Sequence, residues 1–219
     1  MEHNVLRQIK TSSPVQLHFH HNPPLQSKEQ MSKRETGKPD AGLLASMVED
    51  SILPFHQKSK NDMMSIYDLS QQVYYRHHHK NPELAKLAAS LFLFFSDLGY
   101  YLNMEHHRLL PAVRDLIKKV SHSKPGNEVV DLHIQELKLK IQREHYSVID
   151  KLKYFRVLTA DYKVPEGDSK SYKLLFDKLK KLENDLVSYI HFEIDTFFPL
   201  VLETETYVKE NKLISDGRN

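Results

Sequence analysis

The chain has no cysteine among its 219 residues. Disulfides, thiolate nucleophiles, cysteine-type zinc sites and cysteine-ligated iron–sulfur clusters are therefore excluded. Glycine is scarce as well: only six are present, and none stand close enough together to form a phosphate-binding loop or the elbow of a serine hydrolase. Any metal ion in this chain must therefore be bound by histidine, carboxylate or tyrosine side chains.

An excess of one charge sign is also missing. The 31 Lys+Arg and 29 Asp+Glu residues leave a net charge of +2, too small to indicate a nucleic-acid or anionic-membrane partner. The most apolar stretch, 84–98, contains Lys86 and Asp97 and is shorter than the roughly 18 apolar residues that a membrane span needs. The first ten residues have no apolar signal-peptide core. We expect a cytoplasmic protein with no nucleic-acid or membrane partner, and the composition leaves its oligomeric state open.

The chain divides into a polar beginning and a helical remainder. Residues 1–40 are rich in histidine, proline, serine and lysine, which predicts a flexible polar tail. From Asp40, which suits a helix N-cap, apolar residues recur at helical spacing. We expect an extra N-terminal helix over 40–57 that breaks at KSKN (58–61), then long helices over 62–79, 82–120, 128–160 and from 168 to about 210. The expected fold is an all-α four-helix bundle over 41–210, with a C-terminal tail over 211–219.

Each long helix carries one ionisable residue on its apolar face. These residues are His77, Glu105, His145 and Glu193. A carboxylate buried among apolar side chains is costly unless it is paired or bound to a metal ion. One such residue would be typical of an ordinary core. Two glutamates and two histidines on four facing helices are the composition of a carboxylate-bridged centre with two metal ions.

The two glutamates stand in matching local sequences, YYLNMEHHRLLP at 100–111 and SYIHFEIDTFFP at 188–199. In both, a tyrosine precedes the glutamate by four residues and a proline follows it by six. Each tyrosine therefore lies on the same helix face as its glutamate, one turn away. This duplication predicts an internal pseudo-symmetry that provides two metal positions.

Four stretches resemble motifs of the hemerythrin-like di-iron proteins, most closely the RIC group, which restores damaged iron–sulfur clusters. They are HKNPELAKLAASL at 79–91, YLNMEHHRLLP at 101–111, EHYSVIDKLKYFRVLTADYKVPEG at 144–167 and YIHFEIDTFFP at 189–199. They occur in the family's order, and the resemblance covers about residues 43–203. It implies a non-haem di-iron centre and a role in iron–sulfur cluster repair or in the response to nitric oxide and oxygen stress. It also implies damaged iron–sulfur proteins or those gases as partners.

The resemblance further implies a set of metal ligands. The family's terminal histidines correspond to His56, His77 and His145, its bridging carboxylates to Glu105 and Glu193, and two further family histidines to Tyr101 and Tyr189. In one straight helix, the 21 residues from His56 to His77 would separate them by about 31 Å. Both can reach one site only if the chain breaks after His56, as the KSKN sequence suggests.

The two tyrosines leave two interpretations open. Tyrosine is a known iron ligand, and a phenolate would favour ferric over ferrous iron. Alternatively, both phenols fill the histidine space and hydrogen-bond the glutamates in a metal-free core. The first interpretation predicts an atypical di-iron centre, and the second a degenerate paralogue that acts as an interaction or sensing module. The cysteine motif that RIC-group proteins often carry near their beginning is absent from this chain.

Overall fold

The computed structural model of the chain describes residues 38–121, 133–165 and 169–215, all within one compact unit, Lys38–Asn219. The predicted tail over 1–40 lies outside the described residues except for its last three. Within the described ranges the chain forms helices and short connections, and no strand occurs there. The predicted all-α class is confirmed.

Four long helical segments run through the described chain, and three of them contain a short π-helical turn. The first consists of α1 (Ala41–Ser46), π1 (Met47–Ile52) and α2 (Leu53–His77), and the second of α3 (Glu83–Met104), π2 (Glu105–Leu109) and α4 (Leu110–Ser121). The third is α5 (Ile134–Leu158), and the fourth consists of α6 (Lys170–Phe192), π3 (Glu193–Phe197) and α7 (Phe198–Ser215). Helix α2 contacts α3 and α6, and α5 contacts the same two helices, which closes a four-helix bundle.

Side-chain caps determine where the first and fourth segments begin. Asp40 accepts a hydrogen bond from the backbone N–H of Leu43 at 2.8 Å, which confirms the predicted N-cap. Ser169 caps α6 in the same way by accepting from the backbone N–H of Tyr172 at 3.3 Å. Each cap satisfies an N–H group that has no partner inside its own helix.

Two helix boundaries differ from those expected. The break predicted at 58–61 was wrong, because α2 continues without interruption from Leu53 to His77. Of these four residues only Ser59 is buried and the other three face solvent, so the polar stretch is the outer face of a helix. The predicted extra helix over 40–57 is therefore the beginning of the first bundle helix. At the other end of the chain, α7 runs to Ser215, past residue 210.

Each π turn ends two residues before a proline. The residue after each turn donates its N–H to a carbonyl five residues earlier, in the pairs Leu53 to Val48, Leu110 to Glu105 and Phe198 to Glu193. The next residues are Pro54, Pro111 and Pro199. A proline has no N–H to donate, and its ring crowds the carbonyl four residues back, so an α-helix kinks or breaks there. The wider π turn relieves this conflict, and the helix continues.

The bundle core is apolar. Phe94 of α3 meets Phe155 of α5 edge to face, with ring centroids 5.2 Å apart, and both rings are buried. The predicted apolar stripe of α3 is buried at Leu84, Leu87, Leu91, Phe94 and Leu98. None of the helices in the described part of the chain combines the length and apolar character needed to cross a membrane.

Candidate metal centre

Six polar or aromatic side chains meet inside the bundle. They are His56 of α2, Tyr101 of α3, Glu105 at the start of π2, His145 of α5, Tyr189 of α6 and Glu193 at the start of π3. None of them is more than 4 % exposed. They were all predicted as site residues, and the structure brings them together as two similar groups.

Glu105 forms the centre of the first group. Its Oε2 lies 2.7 Å from Nε2 of His56 and accepts a hydrogen bond from the Tyr189 hydroxyl at 2.9 Å. The same hydroxyl lies 3.2 Å from His56 Nε2. Among the described residues, no group hydrogen-bonds Oε1 of Glu105 or Nδ1 of His56. One oxygen of this carboxylate is thus engaged twice and the other not at all.

Glu193 forms the centre of the second group in the same way. Its Oε2 accepts a hydrogen bond from the Tyr101 hydroxyl at 2.6 Å and lies 2.9 Å from Nε2 of His145. The Tyr101 hydroxyl lies 3.2 Å from His145 Nε2, and the two rings meet edge to face. Oε1 of Glu193 and Nδ1 of His145 likewise find no hydrogen-bond partner in the described part of the chain.

The tyrosines link the two groups. Tyr101 shares its helix with Glu105 but donates to Glu193, and Tyr189 shares its helix with Glu193 but donates to Glu105. Each carboxylate is therefore held by a phenol from the opposite half of the pseudo-symmetric pair. The i, i+4 spacing predicts which face a side chain occupies, but not which neighbour it meets across the bundle.

His77 lies apart from the other six residues. Because α2 is unbroken, the 21 residues from His56 to His77 correspond to about 31 Å along the helix. Nε2 of His77 lies 2.8 Å from Oγ of Ser169, and its ring meets Tyr172 edge to face at a centroid distance of 5.7 Å. The expected approach of His77 to the site depended on the break at 58–61, and it does not occur in the structure.

A signal in the sequence separates His56 from His77. In the first group the histidine precedes its glutamate by 49 residues, and in the second by 48 residues. His77 precedes Glu105 by only 28 residues, and so does not match His145 in the duplicated pattern. The nearly equal spacings identify His56, and not His77, as the counterpart of His145.

Burial dominates the protonation of the site. It raises the pKa of the Glu105 carboxyl to about 7, the charge of Glu193 adds to this effect, and His56 opposes it. Burial also raises the pKa of Glu193 to about 7, against the hydrogen bond from Tyr101. It lowers the pKa of His145 to about 4. Burial and the two nearby carboxylates raise the pKa of both phenols well above 10, so Tyr101 and Tyr189 keep their protons.

Three of these residues lie close enough together to hold one metal ion. Glu105, His145 and Glu193 offer ligand atoms that all lie within 4.8 Å of one another. Two carboxylates and an imidazole suit iron, manganese or zinc. Buried polar atoms without a hydrogen-bond partner, such as Oε1 of both glutamates, are rare in folded proteins and call for an explanation. A bound cation would provide one, so these residues fit a metal ion.

A surface cavity of about 390 Å³ reaches the first group. Its wall includes the buried His56 together with Glu49, Lys60 and His106. His106 is half-buried, and its ring centroid lies 6.3 Å from that of His56. Burial and the positive charges of His107 and Lys60 lower the pKa of His106. The cavity therefore reaches the buried group at His56.

Bundle proteins that hold metal ions in their cores do so with carboxylate and histidine side chains from facing helices. The described helices of this chain bring the same residue types together in their core. No protein-family model matches the chain.

Known proteins of similar sequence are iron–sulfur cluster repair proteins. A probable iron-sulfur cluster repair protein of Haemophilus influenzae is 23 % identical over 176 residues, which are 79 % of this chain and 73 % of that protein. The iron-sulfur cluster repair protein YtfE of Yersinia pseudotuberculosis is 22 % identical over 162 residues, 74 % of this chain and 67 % of that protein. YtfE of Dickeya chrysanthemi matches to the same extent. These similarities confirm the resemblance to the RIC group that the motifs predicted.

Proposed function

We propose that this chain is a hemerythrin-like protein with a non-haem di-iron centre, acting in iron–sulfur cluster repair or in the response to nitric oxide or oxygen stress. The observation that carries the proposal is the buried group of Glu105, His145 and Glu193, whose ligand atoms lie within 4.8 Å of one another. The similarity to iron–sulfur cluster repair proteins supports it. A cytoplasmic location, and damaged iron–sulfur proteins or those gases as partners, are parts of the same proposal.

Four residues of this chain would hold the iron: His56, Glu105, His145 and Glu193. Each glutamate has one oxygen, Oε1, that no described group engages. Each histidine directs Nε2 at the glutamate of its own group. Bound iron would exchange electrons with small molecules, or it would be released to rebuild a damaged cluster. The chain's part is to hold two carboxylates and two imidazoles in a buried site, where their electrostatic interactions are stronger than in water.

Tyr101 and Tyr189 have a different role in this proposal. Each hydroxyl donates a hydrogen bond to a glutamate Oε2, and in the metal-free chain burial raises the pKa of both phenols. A protonated phenol fixes the orientation of a carboxylate and leaves its second oxygen available, as hydrogen-bond partners of metal ligands commonly do. The proposal therefore assigns the tyrosines a hydrogen-bonding role and not the role of atypical ligands. His77 has no part in the centre.

Metal content is the experiment that tests the proposal. Untagged protein from cells grown with added iron should contain about two irons per chain by elemental analysis. Its visible spectrum should lack a phenolate-to-ferric band, because in this proposal each hydroxyl is a hydrogen-bond donor to a glutamate and not a ligand. The Glu105→Gln, Glu193→Gln double variant, purified in parallel, should contain less than about a tenth as much iron. A wild-type protein that is fully folded and free of metal would overturn the proposal.

A metal-free interaction or sensing module is the second candidate function. It is favoured by the contacts of the two Oε2 atoms, each of which accepts a hydrogen bond from a phenol and lies within hydrogen-bond distance of an imidazole. These contacts satisfy one oxygen of each carboxylate without a metal ion. This alternative predicts that the wild type and the double variant are both folded and metal-free, so the same measurement separates the two functions.

Metal binding should become tighter as the pH rises from about 6 to about 8. Burial raises the pKa of Glu105 and Glu193 to about 7, so below that pH a metal ion must displace a proton from each carboxyl. Each carboxyl group is ionised in about a tenth of the molecules at pH 6 and in about nine-tenths at pH 8. The two carboxyl groups together can therefore change the metal affinity by at most about 100-fold over this range. His145 does not contribute to this pH dependence, because its pKa of about 4 keeps it neutral from pH 6 to pH 8. Competition with a chelator of known titration measures the change, and an affinity that falls with rising pH would contradict it.

A further inference from the structure

Tyr101 is the more completely enclosed of the two phenols in the candidate metal centre. It is 0 % exposed, and its hydroxyl donates to Oε2 of Glu193 at 2.6 Å. Such a distance is typical of a short hydrogen bond to an ionised carboxylate. The hydroxyl also lies 3.2 Å from Nε2 of His145, and the two rings meet edge to face. This phenol thus contacts two of the residues that fit a metal ion.

The surroundings of Tyr101 meet two requirements of a side chain that gives up one electron. A phenol that loses an electron also releases its hydroxyl proton, so a base must lie within hydrogen-bond reach. Oε2 of Glu193 is such a base, whereas Oε1 of this carboxylate is engaged by no described group and is left for a metal ion. The resulting neutral radical persists only where water and other reactants are excluded. The burial of Tyr101 provides this exclusion.

Tyr189 occupies the equivalent position in the first group but is less well enclosed. It is 4 % exposed, and its hydrogen bond to Oε2 of Glu105 is longer, at 2.9 Å. Its hydroxyl lies 3.2 Å from Nε2 of His56, which forms part of the wall of the surface cavity. Tyr189 is therefore one contact away from that cavity. Both the enclosure and the shorter hydrogen bond favour Tyr101 as the residue that is oxidised.

From these contacts we infer that Tyr101 is a redox-active residue, which is oxidised to a neutral phenoxyl radical when the ferrous protein reacts with dioxygen. The inference rests on the proposed di-iron function, because bound iron supplies one-electron chemistry with dioxygen. The O–H bond of Tyr101 breaks, its electron passes to the metal centre and its proton passes to Oε2 of Glu193. The distance of 2.6 Å between the two oxygens lets the proton move without any rearrangement of the chain.

The electrons of this step balance when dioxygen is reduced to water, which takes four electrons and four protons. The two ferrous ions of the centre give two electrons, Tyr101 gives the third, and a further ferrous ion in solution gives the fourth. Dioxygen, four protons from solvent, three ferrous ions and the Tyr101 phenol thus yield two water molecules, three ferric ions and one radical. The phenolic proton remains on Glu193. The reaction therefore requires ferrous iron beyond that held in the centre.

Electron paramagnetic resonance of the full chain tests the inference. Metal-free protein is mixed anaerobically with an excess of ferrous iron, exposed to dioxygen and frozen, and its bound iron is measured in parallel. We expect an organic-radical signal that narrows when the protein is produced with ring-deuterated tyrosine. Tyr101→Phe should abolish this signal, although the variant still binds iron. The label assigns the radical to a tyrosine whether or not a variant folds.

Tyr100→Phe is the matched control. Tyr100 is the neighbouring residue of α3 but is 62 % exposed, so its replacement should leave the radical signal within about twofold of the wild type. Tyr189→Phe should still show a radical. An iron-loaded wild type without a radical, or a signal that persists in Tyr101→Phe or ignores the deuterium label, would overturn the inference and leave the proposed function intact. A chain that takes up no iron would overturn both.

Discussion

Glutamine in place of Glu105 or of Glu193 should abolish metal binding and leave the fold intact. An amide has nearly the shape of a carboxyl group but no negative charge, and it is a much weaker metal ligand. We expect the affinity for ferrous iron to fall more than about 100-fold in either variant, because a direct ligand is lost. The amide oxygen can still accept the hydrogen bond from the tyrosine, so the local packing is preserved.

The same substitutions should stabilise the metal-free protein at about pH 8. Burial raises the pKa of each carboxyl from 4.5 to about 7, so between these values the folded chain binds more protons than the unfolded chain. The wild type therefore loses stability as the pH rises through this range, whereas glutamine does not titrate. We expect the free energy of unfolding to increase on the order of 1 kcal/mol per substitution at pH 8, and the gain to shrink at about pH 5.

His77→Gln is the matched control for both measurements. His77 lies beside Ser169 at the far end of α2, so its replacement should leave the iron affinity within about twofold of the wild type. Anaerobic calorimetric titration with ferrous iron measures the affinity, and urea unfolding measures the stability. Iron binding that survived in both glutamine variants would show that neither carboxylate is a ligand.

Phenylalanine in place of Tyr101 or Tyr189 should weaken the metal-free fold while iron binding persists. The two hydroxyls donate to buried carboxylates at 2.6 and 2.9 Å. Without the hydroxyl, a buried acceptor loses a donor, which costs about 1–3 kcal/mol for each substitution. The ring remains in place, so no cavity contributes to the loss. The stability losses of Tyr101→Phe and Tyr189→Phe need not add in the double variant, because the carboxylates of the two groups interact.

Tyr162→Phe is the control for the loss of a buried hydroxyl. Tyr162 is 8 % exposed, and its hydroxyl has no hydrogen-bond partner within the described ranges. Its replacement should change the free energy of urea unfolding by no more than about 0.5 kcal/mol. An intense visible band in the iron-loaded wild type that disappeared in Tyr101→Phe, together with the loss of iron, would instead make the tyrosines ligands.

The helices of this fold follow from the sequence because their apolar positions repeat with the helical period. The stripe from Leu84 to Leu98 predicts α3 in this way, and its inner face is buried as expected. The break at 58–61 was predicted from polarity alone. Lysine and serine are compatible with a helix, and a polar stretch placed on the outer face leaves the helix intact. Periodicity thus predicts burial better than it predicts where a helix ends.

The site was predictable to the extent that it depends on one helix at a time. Local spacing places Tyr101 on the face of Glu105, and the duplicated motif predicts the second half. The choice between His56 and His77 depends on whether α2 is continuous, which the composition of 58–61 does not decide. The exchange of tyrosines between the halves depends on packing across the bundle, which no single helix encodes.

The π turns make three of the four bundle segments longer by one residue than α-helices of the same reach. One residue of an α-helix corresponds to a rotation of about 100° about the helix axis. An added residue therefore rotates the part of the helix after it relative to the part before it. Two of these additions begin at Glu105 and at Glu193. A chain that lacked them could form the same α3 and α6, but α4 and α7 would be rotated relative to the helices before them, so different side chains would face the core. The packing of α4 and α7 is thus a property of local chain length, set by where Pro111 and Pro199 interrupt the regular winding.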